Sequence, residues 1–329
     1  MTFRYAGPAE SIHLLPALSL PELDTETGLT FDHANGEWRL TLPRPPVQRM
    51  EYRFQLQHES DTEEICDPSN PKRAPGAFGD KSVIEFPGYT TPPWLTEKTT
   101  ETQHLTVPAP LLNRDVEIQL WSPDTDEALP LLIAHDGPEY DRLANLTTYA
   151  AASDLPFRVA LLQPGDRDDE YAANPRYAAT LHQRVVPALR QAVNVREPIV
   201  GMGASLGGLA MLHAQRALPG LFGALFLQSA SFLTVDLDPQ EQHRFSRFGQ
   251  VSVYVADVLR TVPHETIPIT MTCGLAEENL ANNRQMAATL AKQGYRTELV
   301  EVPDAHNYVG WRDAFHPALT TLLRETWAA

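Results

Sequence analysis

Ile199-Val200-Gly201-Met202-Gly203-Ala204-Ser205-Leu206-Gly207-Gly208-Leu209-Ala210 reads as an apolar strand that passes through a serine into a helix reaching Ala217. Glycines stand two residues before and two after Ser205. A serine on so sharp a strand-to-helix turn leaves little room for side chains at those positions, which is the physical content of a Gly-x-Ser-x-Gly pattern. The turn lifts Oγ above the sheet edge and points first-turn N–H groups at whatever bonds to the serine, an arrangement suited to an oxyanion. Taken alone, the same residues also describe a glycine-rich joint that merely packs a helix on a sheet.

Outward from this turn, apolar runs at 116–121, 129–134, 157–162, 199–202, 224–227, 267–272 and 299–302 predict strands. Helical periodicity over 143–152, 174–193, 206–217, 279–293 and 309–327 alternates with them. Such alternation predicts an α/β fold: an open, mostly parallel sheet with helices on both faces and function beyond the carboxyl ends of its strands. The stretch from 231 to about 260 breaks the rhythm and is expected to be a lid or pocket wall.

The first hundred residues differ. They carry short alternating runs, many turn residues and no convincing helix beyond the opening dozen positions. Trp38, Leu40 and Leu42 alternate with polar residues, and Met50, Tyr52, Phe54 and Leu56 alternate with Glu51, Arg53 and Gln55 as a half-buried strand. A turn-rich bridge at 67–79 leads to a short strand at 83–86. A small antiparallel sandwich over 1–100 is expected, with 87–106 as a proline- and threonine-rich linker, and the α/β domain over 101–329. Aromatic residues of the sandwich suit a core better than a carbohydrate site.

With 329 residues there is room for two domains and a large core. The net charge of −16, with no Lys/Arg block, argues against nucleic acid or an anionic membrane as partner. Cys66 and Cys273 lie far apart and read as free thiols, and no metal-ligand spacing involves either. No secretory signal or bilayer-spanning stretch is recognisable, so a cytoplasmic location is expected. Oligomeric state is not legible.

A serine hydroxyl needs a base, and the base an acid behind it, in the chain order serine, acid, histidine. Of the eleven histidines, His306 alone sits just past a predicted strand and before the last helix. Glu277, after the strand at 267–272, is the expected acid, with Glu278 as fallback and Asp304 as a weaker candidate. One oxyanion donor is the Leu206 N–H; the other is expected from the loop His135-Asp136-Gly137-Pro138-Glu139-Tyr140.

In these residues the chain resembles the esterase D group of α/β-hydrolases, most closely its enterochelin-esterase-like branch. The resemblance is carried by His135-Asp136-Gly137, by 203–208, by Cys273-Gly274 with Glu277, Asn283 and Arg284, and by His306 with Trp311 and Arg312. Asp67, Pro68, Asn70, Pro71, Phe78, Gly79, Ser82, Pro87, Tyr89, Pro92 and Trp94 look like the immunoglobulin-like N-terminal domain of that branch. The resemblance implies a serine esterase without cofactor or metal, with Ser205 as nucleophile, His306 as base, Glu277 as acid, and Tyr140, Trp311 and Arg312 near a small-molecule ester. It departs from the pattern at Pro138, where many relatives use the backbone N–H as second oxyanion donor; Gly137 or Glu139 would donate instead. A siderophore-like or other bulky ester is favoured, with Arg142, Arg244, Arg247 and Arg312 available for a local basic pocket. A catalytically weak glycan-binding protein and an acyltransferase are the alternatives.

Overall fold

The computed structural model describes residues 1–20, 23 and 29–327. The chain folds as two compact units. The first comprises Met1–Thr90 together with Gly274–Glu278 and Glu301–Gly310; the second comprises Thr91–Cys273, Asn279–Val300 and Trp311–Ala329. The changeover at 90/91 lies ahead of the expected boundary near 100, and the first unit is discontinuous in sequence.

In the first unit the strands are β1 (Thr2–Tyr5), β2 (Ser11–Pro16), β3 (Leu29–Thr30), β4 (Asp32–Ala34), β5 (Glu37–Thr41), β6 (Arg49–Gln57), β7 (Thr62–Ile65), β8 (Arg73–Ala74) and β9 (Lys81–Glu85). The opening positions are thus strands, not helix. β1-β5-β4 form one antiparallel sheet; β3-β2-β6-β9-β8, with β7 on β6, form another. Period-two alternation along β6 turns Met50, Tyr52, Phe54 and Leu56 into a core with Phe3, Ile12, Leu14, Phe31 and Trp38, and each large side chain contributes about 1.5–3 kcal/mol of burial. β6 departs from a half-buried strand at its start: Arg49 and Glu51, on its polar face, are buried as well. Tyr52 also turns its hydroxyl to Asp67 Oδ2 at 2.8 Å, so the turn-rich bridge is tied to β6.

The second unit is built on the sheet β10 (Gln103–Ala109), β11 (Arg114–Trp121), β12 (Leu129–His135), β13 (Arg158–Leu162), β14 (Val195–Ala204), β15 (Ala224–Gln228), β16 (Ile269–Gly274) and β17 (Thr297–Val302), in the order β10-β11-β13-β12-β14-β15-β16-β17. β10/β11 and β11/β13 are antiparallel, whereas β13/β12, β12/β14, β14/β15 and β15/β16 are parallel. The central strands are buried along both faces, as a sheet covered by crossover helices requires. Part of the expected linker is strand β10. Trp94, nearer its start, packs edge-on against Tyr149 and stacks with Phe315.

The helices are α1 (Gly137–Ala144), α2 (Leu146–Ala152), α3 (Arg167–Tyr171), α4 (Pro175–Thr180), α5 (Val186–Ala192), α6 (Leu206–Ala217), α7 (Glu241–Arg244), α8 (Phe248–Val258), α9 (Leu280–Lys292), α10 (Tyr308–Asp313) and α11 (Thr320–Trp327). A wider turn at Leu181–Val185 joins α4 to α5, so the expected helix at 174–193 is close to continuous. The one expected at 309–327 breaks at His316, whose backbone is extended ahead of Pro317. The segment expected as a lid contains α8, which buries Phe248, Val251, Val255 and Val258. No helix among the described residues is long and apolar enough to cross a membrane.

Candidate active site

Ser205 follows β14 directly and is held at φ 54°, ψ −127°, a conformation that a non-glycine residue adopts only when its surroundings enforce it. Those surroundings are backbone. Ser205 N–H donates to Gln228 O at 2.9 Å, and its carbonyl accepts from the N–H groups of Gly208, Leu209 and Ser231 at 3.1, 3.2 and 3.0 Å. Gly203 and Gly208 leave no room for a side chain, a Cβ on Gly203 lying 2.4 Å from Gly207 O and one on Gly208 2.8 Å from Ala230 Cβ, while at Gly207 a Cβ would press on His135 Cβ at 3.1 Å. Ser205 Oγ lies 3.1 Å from Ser231 Oγ. Leu206, first residue of α6, contributes one of the first-turn N–H groups that a helix cannot satisfy internally.

The next loop on the same sheet, after β12, turns at Asp136, which is also left-handed at φ 51°. Arg167 grips its carboxylate with two parallel bonds, Nε to Oδ1 and Nη2 to Oδ2, both 2.8 Å. Asp136 N–H donates to Tyr171 Oη at 3.2 Å. His135 is fully buried, stacks on Tyr171 and lies 2.9 Å through Nδ1 from Gly207 O. Burial lowers its pKa to about 4 despite the Gly207 contact, so the neutral ring donates Nδ1–H to that carbonyl. Gly137, first in α1, packs so closely on β13 that a Cβ would lie 2.2 Å from Leu161 Cα. Pro138 behind it has no N–H to offer.

A third left-handed residue, Ser229 at φ 46°, ends β15. Its carbonyl accepts Asn279 Nδ2 at 3.0 Å, and the Ala230 carbonyl accepts Asn283 Nδ2 at 2.8 Å, so α9 holds the backbone that leads to Ser231. Trp311 Nε1 donates to Ser229 Oγ at 2.9 Å, and Gln228 Nε2 donates to Trp311 O at 3.0 Å. Three adjacent parallel strands, β12, β14 and β15, are therefore each followed directly by a non-glycine residue at positive φ.

Glu277 and His306 belong to the first unit, on loops that leave β16 and β17. Glu277 is fully buried, accepts Gly274 N–H through Oε1 at 3.1 Å, and faces His306 Nδ1 through Oε2 at 3.2 Å. The His306 side chain keeps 27% of its surface exposed. The fallback Glu278 is exposed. The Asp304 carboxylate is engaged elsewhere: its Oδ2 accepts Arg49 Nη1 at 3.1 Å, and its Oδ1 accepts Ala305 N–H and Asn307 Nδ2 at 2.8 Å each.

Of the residues expected to touch a substrate, Tyr140 is fully buried and donates its hydroxyl to Gln228 Oε1 at 3.0 Å. Trp311 is buried with its indole N–H spent on Ser229. Both brace the end of β15 rather than present polar atoms outward. Arg312 pairs with its neighbour Asp313 at 2.7 Å, and Arg247 with Asp169 at 2.6 Å. Among the described residues there is no cluster of metal-ligating side chains. Ser231, Arg167 and Arg49 escaped the sequence reading. The Gln228-Ser229-Ala230-Ser231 run directly after an apolar strand was the available signal for the first, while the other two depend on partners remote in sequence.

The Esterase family model matches residues 109–322. The chain belongs to the Esterase family. This places it among carboxylic-ester hydrolases. No curated protein sequence matches it. The enterobactin esterase of Shigella flexneri, solved in the presence of enterobactin, is similar over 98% of this chain and 92% of its own, with a TM-score of 0.77 at 18% identity. The ferric enterobactin esterase of Salmonella typhimurium matches over 98% and 93%, with a TM-score of 0.72 at 17% identity. S-formylglutathione hydrolase from Staphylococcus aureus covers 69% of this chain with 98% of its own, at a TM-score of 0.51 and 17% identity. This Esterase family member thus shares an α/β-hydrolase fold with the last and its whole-chain architecture with the first two.

Proposed function

We propose that this esterase works through Ser205, His306 and Glu277 and a covalent acyl-enzyme. The observation that carries the reading is the Glu277–His306 pair at 3.2 Å, on the loops after β16 and β17 of the sheet whose β14 ends at the strained Ser205. Glu277 holds the His306 Nδ1–H and so leaves Nε2 as the base. Nε2 takes the Ser205 proton as Oγ attacks the ester carbonyl; the tetrahedral oxyanion is received by the Leu206 N–H and the Gly137 N–H, with the Ser231 hydroxyl as a further donor. His306 returns the proton to the departing alcohol, and water then discharges the acyl group by the same route. Gly137 is the second backbone donor in this reading because Pro138 has no N–H and because Gly137 opens α1, where a first-turn N–H has no partner within the helix.

As substrate class we propose a bulky ester of siderophore type. The whole-chain likeness to esterases of enterobactin supports it, since that likeness includes the N-terminal β unit, resembling the immunoglobulin-like domain of the branch. A fluorophosphonate probe should label the native chain at one residue and leave Ser205→Ala unlabelled; labelling of both, or of neither, defeats the mechanism. Turnover of a catecholate trilactone beside p-nitrophenyl esters of increasing chain length tests the substrate class, which fails if only the short esters are cleaved.

A further inference from the structure

The buried charges on β6 have no role in the chemistry just described, and they converge on the loop that carries the base. Arg49 is 3% exposed. Its Nη1 reaches Asp304 Oδ2 and its Nη2 reaches Glu51 Oε1, both at 3.1 Å, while Lys81 Nζ closes on the other Glu51 oxygen at 3.4 Å. The Tyr89 ring lies 5.6 Å from the guanidinium. Arg49, Glu51 and Asp304 are taken out of water while Lys81 stays half-exposed at the edge; burying such charges costs several kcal/mol per ion and they are retained only where the geometry repays it. Burial pushes the Asp304 carboxyl above its ordinary range, and Arg49, Asn307 and the Ala305 N–H pull it back.

Main-chain bonds follow the same route. Gln48 N–H donates to Pro303 O at 2.7 Å, Ser19 N–H to Ala276 O at 2.8 Å, and Ala276 N–H to Asp304 O at 3.2 Å. Ala276 and Ala305, which immediately precede Glu277 and His306, are buried in the same hydrophobic core as Phe3, Ile12 and Phe54. Asn307, immediately after the base, is held between Asp304 Oδ1 and the Gly310 N–H that it accepts at 2.8 Å.

We infer that Arg49 is a positioning residue: through Asp304 it fixes the loop that presents His306 to Glu277, and the N-terminal β unit is thereby part of the catalytic frame. The inference rests on the acid and base roles proposed above. Lysine at position 49 keeps the charge but lacks the planar fork that bridges Asp304 and Glu51 together.

The test compares the full chain with Arg49→Met, Arg49→Lys and Asp304→Asn, using a p-nitrophenyl ester, with rates normalised to fluorophosphonate-titrated Ser205 and folding checked by thermal melts. Arg49→Met and Asp304→Asn should lower kcat about 10- to 100-fold with KM changed less than about twofold, and Arg49→Lys should recover part of the loss. The rate of fluorophosphonate labelling should fall by the same factor, which a loss of folded protein alone would not produce after titration. A folded Arg49→Met with kcat within twofold of the native chain overturns the inference; if that variant does not fold, Asp304→Asn decides by the same criterion. A native chain inert to every ester and to the probe overturns the esterase mechanism and this inference together, whereas a reactive native chain beside equally reactive variants overturns the inference alone.

Discussion

The proposed nucleophile and the proposed acid–base pair are held by different means. Ser205 is fixed by its immediate neighbours and the next strand: two glycines without side chains, a helix starting at once, and hydrogen bonds from Gly208, Leu209 and Ser231. Glu277 and His306 are fixed by residues far away in the chain, such as Ser19, Gln48 and Arg49, and by a hydrophobic core assembled from the first ninety residues. The first device is steric and local; the second is electrostatic and long-range. A local device tolerates almost no substitution at its own positions, and a long-range one exposes its function to changes at sites that look merely structural.

That contrast can be broken most directly at Glu277. Glu277→Gln keeps the shape but cannot stabilise the imidazolium, and kcat should fall roughly 10³- to 10⁴-fold with the chain still folded; steady-state kinetics beside a melt would check this, and a loss below tenfold would remove Glu277 from the mechanism. Next comes the steric side. Gly203→Ala brings a Cβ to 2.4 Å from Gly207 O, a clash with backbone that should cost about 3 kcal/mol, seen in chemical denaturation. Third, acid should weaken the second unit through His135. Burial lowers its pKa to about 4, against roughly 6.5 in an unfolded chain. Its contribution is therefore complete above pH 6.5 and is lost as the pH falls towards 4, at most about 3 kcal/mol and tracked by melting temperature against pH. His135→Gln should flatten that slope. Smallest is Ser231→Ala, which removes one hydroxyl beside Oγ and should lower kcat about tenfold with KM little changed, because two backbone donors remain.

The same contrast explains what the sequence disclosed. The turn at Ser205 could be read because part of its constraint is local, a Cβ on Gly203 meeting Gly207 O four residues on, and the strand before each of Ser205, Glu277 and His306 was visible as an apolar run. The sheet emerged almost complete, yet β10 was hidden because Pro108 and surrounding threonines resemble linker composition. α8 was hidden because its valines favour strand, although Phe248, Val251, Val255 and Val258 recur at helical spacing. The break at His316 follows from the proline after it, which disfavours helical backbone in the residue before. Arg49 could not be read at all. Alternation places it with Glu51 on the polar face of β6, and its buried partner Asp304 stands 255 residues later.

Because the first unit includes Gly274–Glu278 and Glu301–Gly310, the N-terminal segment is not a detachable cassette. Removing the first ninety residues would strip Ala276 and Ala305 of their core and leave Asp304 with a buried charge and no cation. Any exchange of the N-terminal unit would have to carry these two loops along with it, which makes the boundary useful to recombination one of contacts and not of chain position.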